Sequence, residues 1–193
     1  ECKSASGSDI FVTLAEAGLA VNIANPLQEM TTVDTEVTLN CYATEKAELT
    51  LKLNGEVVKT VTGMELQYTY LFSEGGQYNF ELTATNDNGT TTATTSTWVP
   101  ARGVKQNRPA GIVNGIYYDK NDQTKVTLCT FAGSKTEPAK HVFVVGDFND
   151  WTISNDYQLK QANDSAYFWI ELSGLTPQKE YAMQYVVIRA DGE

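Results

Sequence analysis

The stretch Gly146-Asp147-Phe148-Asn149-Asp150-Trp151 puts two carboxylates, an amide and two large aromatic rings within six residues. Paired carboxylates are the working groups of acid–base hydrolases, which hold them on opposite sides of a bound sugar. Asp147 and Asp150 belong instead to one loop of four residues, where a sugar has no room between them, and they read as turn-capping acids. No catalytic residue is assigned. His141 is the only imidazole of the chain, so a zinc site built on several His is excluded and any Ser-His-Asp relay would hang on that ring. It opens a strand pattern and reads as a partly exposed β residue. Cys2, Cys41 and Cys129 are far apart and odd in number, making neither a CxxC metal site nor a disulfide framework. Asp119-Lys120-Asn121-Asp122 has the acidic start of a calcium loop but lacks the Gly and the distal Glu, and reads as a hairpin turn. No metal and no cofactor are expected.

The elements that must carry these groups are strands. In the first half, alternation is plain in Val37-Leu39-Cys41, Leu49-Leu51-Leu53 and Tyr78-Phe80-Leu82-Ala84, while helical spacing is nearly absent. Asn54-Gly55 and Asn86-Asp87-Asn88-Gly89 supply turn residues that tolerate positive φ, so about seven short strands in a sandwich are predicted. Thr90 to Thr97 reads as a Thr-rich strand with one wet face rather than a modified or ice-binding tract, and Trp98 and Val99 are expected to close the core. In the second half, Ile112–Tyr118, Lys125–Phe131, His141–Gly146, Tyr167–Leu172 and Tyr181–Ile188 all read as strands of a second sandwich.

Between them, residues 100–110 carry two Pro, a Gly and three basic residues without apolar periodicity, which predicts a linker. The charge steps there: −9 over residues 1–100, +3 over 101–110 and −4 over 111–193, within a total of −10 for 193 residues. The expected fold is therefore all-β, two tandem immunoglobulin-like β-sandwiches at 1–99 and 111–193. Acidity argues against nucleic acid and anionic membranes as partners, because both require clustered Lys and Arg. No stretch approaches the roughly 18 apolar residues of a membrane span.

Gly76-Gln77-Tyr78-Asn79-Phe80-Glu81-Leu82 resembles the tyrosine-corner strand of immunoglobulin-like and polycystic-kidney-disease-type domains. The resemblance covers residues from about 25 to 99. It puts Phe80 where an immunoglobulin has its second Cys and Cys41 where it has the first, so it implies an apolar pair in place of the disulfide.

His141-Val142-Phe143-Val144-Val145-Gly146-Asp147-Phe148-Asn149-Asp150-Trp151 resembles the strand and loop of family 48 carbohydrate-binding modules. These are early-set sandwich domains that precede the catalytic barrel of many α-amylase-family (glycoside hydrolase family 13) enzymes. The resemblance runs from about Gly111 to Gly192, through Tyr167-Phe168-Trp169-Ile170-Glu171-Leu172 and the turn Ser173-Gly174-Leu175-Thr176-Pro177. The lead-in Arg108-Pro109-Ala110-Gly111-Ile112-Val113-Asn114-Gly115 is similar to that of starch-degrading enzymes of Bacteroides-type bacteria. The resemblance implies a secreted parent enzyme, a downstream barrel in the same polypeptide, and a weak α-glucan partner such as starch, glycogen or a maltooligosaccharide.

The chemistry fits such a ligand. A pyranose has an apolar face of C–H groups and a rim of hydroxyls, so an indole supplies contact area while amides and carboxylates satisfy the rim. Trp151 is the expected platform and Asn149 a rim amide. Gln184 stands at the position that matches the polar contact on the last complete strand. Two roles are open for Trp151, stacking on glycan or packing against a barrel; Trp169, in mid-strand, reads as core. Three readings of the whole remain: a non-catalytic glucan-binding accessory region, a spacer for an absent barrel, or a protein-binding adhesion pair.

The ends of the chain carry two further expectations. Cys2-Lys3-Ser4-Ala5-Ser6-Gly7-Ser8 is similar to a lipoprotein tether, but Glu1 does not suit the cleavage site and a polar linker is preferred. Export to the periplasm or the outer cell surface is expected in either case. Asp191-Gly192 is a hairpin-turn dipeptide after the last strand, from which a return strand beyond Glu193 is expected.

Overall fold

The computed structural model describes residues 18–163 and 165–189. The Cys2 tether and the Asp191-Gly192 turn lie outside the described residues. The fold is all-β, with a single 3-10 turn at Asn155–Tyr157 among the described residues. The described residues form two compact units, one holding 18–29, 36–70 and 78–97, the other 30–35, 71–77 and 98–189 apart from 164.

The first five strands are β1 (Val21–Ile23), β2 (Glu36–Leu53), β3 (Glu56–Leu71), β4 (Gly76–Asn86) and β5 (Gly89–Val99). Among the described residues, five strands thus stand where about seven short ones were predicted. No Gly, Pro or Asn interrupts residues 41–53, so β2 runs unbroken for 18 residues, and β3 follows it for 16. The length of β2 lets it serve three partners: Ile23 of β1 pairs with Cys41, Phe80 of β4 pairs with Leu53 at its end, and β3 pairs with it as well. Every second residue of β2 from Leu39 to Leu51 faces the core except Glu45, and Tyr78, Phe80, Leu82 and Ala84 of β4 do the same. At Asn54 and Gly55, φ of 49° and 89° closes the β2–β3 hairpin in the left-handed region such turns require. Cys41 and Phe80 are both buried, and burial pushes the Cys41 thiol up to about 11, so it is an inert apolar filler.

The second unit contains β6 (Gly115–Tyr118), β7 (Val126–Phe131), β8 (His141–Gly146), β9 (Lys160–Gln161), β10 (Tyr167–Leu172) and β11 (Met183–Ile188). They form a four-stranded sheet in the order β6-β7-β10-β9 and a two-stranded sheet of β11 and β8. Leu128, Val142, Val144, Leu159, Phe168, Ile170 and Leu172 join both sheets in one core. The six residues of β8 are all buried, which explains their uninterrupted apolar run: a strand covered on both faces has no polar side to alternate with. Its second face is covered by Trp98, whose ring meets Phe143 edge-on at 5.2 Å.

That cover also corrects the reading of His141. The ring is 5% exposed, and its Nδ1 accepts a hydrogen bond from the Gln158 amide at 2.9 Å. The same amide nitrogen donates to the Ala101 carbonyl at 3.2 Å, so its two protons face two acceptors. Burial, and to a lesser degree the nearby Lys140, hold the imidazole pKa below its ordinary value. The folded state therefore prefers neutral His141, while the unfolded chain takes up a proton near pH 6.5. Stability should be full above that pH and decline as pH falls from about 6.5 through the lower folded pKa. The carboxylates held low by their partners, Asp34, Glu45, Asp122 and Asp147, lose their contributions only in a separate window below about pH 4. Thermal melts between pH 7.5 and 5 should show a falling midpoint in the wild type and a flatter profile in His141→Gln. A flat wild-type profile would contradict the buried neutral ring.

The segment read as a linker is held along β9. Val104 O accepts from Gln161 N and Gln106 N donates to Gln161 O, both at 2.9 Å, and the Trp169 indole donates to Gln106 O at 3.2 Å. Arg108 lies 4.3 Å from the centre of the Tyr167 ring. These contacts cover an edge that would otherwise present unpaired backbone groups. Two are main-chain bonds and two are polar contacts of single side chains, so they leave no apolar periodicity in the sequence.

Candidate glycan-binding loop

β8 ends at Gly146, and residues 147–152 turn back over its end. Gly146 O accepts from both Asn149 N (3.1 Å) and Trp151 N (3.0 Å), and Thr152 N donates to Asn149 O at 3.0 Å. The Asn149 side chain completes the turn: its Oδ1 accepts from Gly146 N at 2.8 Å, and its Nδ2 donates to Val144 O and Thr152 O at 3.1 Å each. Its amide is thus already occupied within the loop. These bonds hold Asp150 and Trp151 in left-handed backbone conformations, φ 51° and 56°, which non-glycine residues adopt only at an energetic cost.

The result is a fixed orientation for one ring. Trp151 is 48% exposed, and its Nε1 donates to Asp147 Oδ1 at 2.9 Å. Asp147 Oδ2 in turn accepts from Ala182 N at 2.9 Å, and Asp147 N donates to Ala182 O at 3.1 Å. The Ala182 N–H first, then the indole N–H and the attraction of Lys179, hold the Asp147 carboxyl below the usual carboxylate range. A carboxylate with both oxygens engaged and its pKa lowered is suited to clamping, and poorly suited to donating a proton. Phe148 turns inward, packing on the core with its ring 5.5 Å from that of Tyr157.

The remaining residues singled out from sequence separate cleanly. Gln184 is exposed on β11, cross-strand from Val145 and two residues beyond the clamped Ala182, a separation of about 7 Å along an extended chain. Trp169 is 7% exposed, in the core as expected, with Lys160 Nζ 4.8 Å from its ring centre. Asp119 Oδ1 accepts from Asn121 N and Asp122 N, and Asp122 Oδ1 from Thr124, so both carboxylates serve the turn. Among the described residues, no cluster of three or more His, Cys, Asp or Glu is placed to hold a metal ion. The clamp formed by Asp147 was missed in the sequence, because in a loop the spacing of Asp and Trp four residues apart does not say whether their side chains meet.

No protein-family model matches the chain, and neither does any curated protein sequence. Among solved structures it is similar to fibronectin(III)-like modules of Clostridium thermocellum CbhA, at 13% identity and a TM-score of 0.40 over 90% of this chain and 87% of that one. An I-band fragment from titin matches at 16% identity and a TM-score of 0.38, over 91% and 66% of the two chains. A Bacteroides ovatus protein, the SGBP-B of a mixed-linkage glucan utilization locus in complex with a heptasaccharide, matches at 16% identity and a TM-score of 0.32, over 92% and 45%. These likenesses carry no argument about ligand or activity.

Proposed function

We propose that the chain is a non-catalytic accessory region of a larger, exported starch- or glycogen-degrading glycoside hydrolase of the α-amylase family. In this reading residues 111–193 bind α-glucan weakly, residues 1–99 are an immunoglobulin-like spacer, residues 100–110 join them, and a catalytic barrel of the same polypeptide is the other partner. The observation that supports binding over a purely structural role is the exposure of Trp151, 48%, together with the Asp147 clamp on its indole nitrogen. A ring that packed beneath its own loop would have no face left for a sugar; this one is solvent-facing and oriented in advance, which lowers the ordering cost of stacking. Gln184 is the accompanying polar contact. Asn149 acts by positioning, since its amide holds the loop. For localisation, no helix among the described residues is long and apolar enough to cross a membrane.

One stacked aromatic with few hydrogen bonds and no charge should give affinity on the order of millimolar, about −4 kcal/mol. Affinity electrophoresis in amylopectin gels should retard the wild type and not Trp151→Ala, with circular dichroism showing the variant folded. A wild type that runs unretarded in both amylopectin and glycogen would leave Trp151 a packing residue and favour the spacer reading.

A further inference from the structure

Among the described residues the second unit sets a sheet of four strands against one of two. Ile116 and Tyr118 stand opposite Leu128 and Val126 of β7, on the side turned to the core, yet they are 50% and 78% exposed. Above them lies an open groove of about 850 Å³, within the range of small-ligand sites. Its lining combines the rings of Tyr118, Phe148 and Tyr181 with the amides of Gln123 and Gln178. Two cations, Lys125 and Lys179, are balanced there by two anions, Asp119 and Glu180, so the groove suits a neutral ligand.

It is also continuous with the Trp151 loop. Phe148 and Ala182 both line the groove, and Ala182 N is bonded to the Asp147 carboxylate that holds the Trp151 indole. We propose that the groove takes the neighbouring residues of an α-glucan chain whose first sugar stacks on Trp151, making this an oligosaccharide site with Tyr118 as a second platform. The proposal rests on the glucan reading above and extends it from one ring to a chain. Aromatic faces suit the C–H faces of successive sugars and the amides suit their hydroxyls, while the balanced charges give no attraction to an ionic ligand.

Isothermal titration of the chain with maltose and with maltohexaose tests this. The wild type should bind maltohexaose about tenfold more tightly than maltose. Tyr118→Ala, at a residue too exposed to endanger the fold, should lose about fivefold for maltohexaose and keep its maltose affinity. Trp151→Ala should weaken both. Equal affinity for the two sugars, with Tyr118→Ala silent and Trp151→Ala damaging, would overturn the groove and leave the Trp151 reading intact. No binding of either sugar by the wild type would overturn both.

Discussion

Phe143→Ala is expected to destabilise the chain by about 3–5 kcal/mol, a large part of the 5–15 kcal/mol typical of a folded domain. Phe143 is fully buried, at 0% exposure, within a strand that is covered on both faces. Its ring lies 5.2 Å from that of Trp98 and 6.2 Å from that of His141, so truncation removes the contact between β8 and its cover and opens a cavity between rings. Rings cannot easily collapse into the space, which places the cost at the upper end for a core deletion. Urea denaturation followed by circular dichroism would measure it as a lowered midpoint at unchanged slope. Phe143→Leu, which keeps most of the volume, should recover more than half of the loss. A cost below about 1 kcal/mol would mean that this face of β8 is not sealed by Trp98.

The same strand shows where the sequence was informative. Val142 to Val145 is a short apolar run, three of its four residues Val, bounded by His141 and Gly146, and that length, β-branching and flanking Gly favour a buried strand over a helix. With its bounding residues the run matches β8, His141–Gly146, and the aromatic-rich segment Tyr167–Leu172 matches β10. His141 was misread because its burial is imposed by residues 98–101 and 155–158, whose approach no local pattern encodes. β9 and the segment beside it were invisible for a related reason: two residues joined through main-chain bonds leave no side-chain signature. In the candidate site, the Gly-Asp-Phe-Asn-x-Trp pattern singles out Trp151 as a residue of interest. The roles of its neighbours were not legible, because an amide can face a ligand or its own backbone, and only geometry shows that Asn149 holds the turn. The groove beside it depends on how many strands each sheet contains, a property of the assembled unit and of no single motif.

The glycine of that pattern supplies the second large effect. Gly146 is buried at the end of β8, paired with Met183 at the start of β11. A Cβ at this position would collide with the carbonyl oxygen of Ala182 and would lie 2.9 Å from Phe148 Cε1 and 3.1 Å from Met183 Cα. Two of those three atoms are backbone, so no side-chain rotation can relieve the clash; β11 must move away from β8 or the loop must shift. Gly146→Ala is therefore expected to cost about 1–3 kcal/mol or more by overpacking, despite adding a single methyl group. The displacement would fall on Ala182, which is bonded to Asp147 through both its N–H and its carbonyl, and through Asp147 on the Trp151 indole. The variant should therefore lose stability and glucan retardation together. That coupling distinguishes it from Phe143→Ala, which lies away from the loop and should still be retarded under conditions where it remains folded. Denaturation midpoints and amylopectin gels run on both variants would show this. A Gly146→Ala protein with the wild-type midpoint and the wild-type retardation would mean that β11 is free to yield, and that the glycine is not what ties the loop to the sheet.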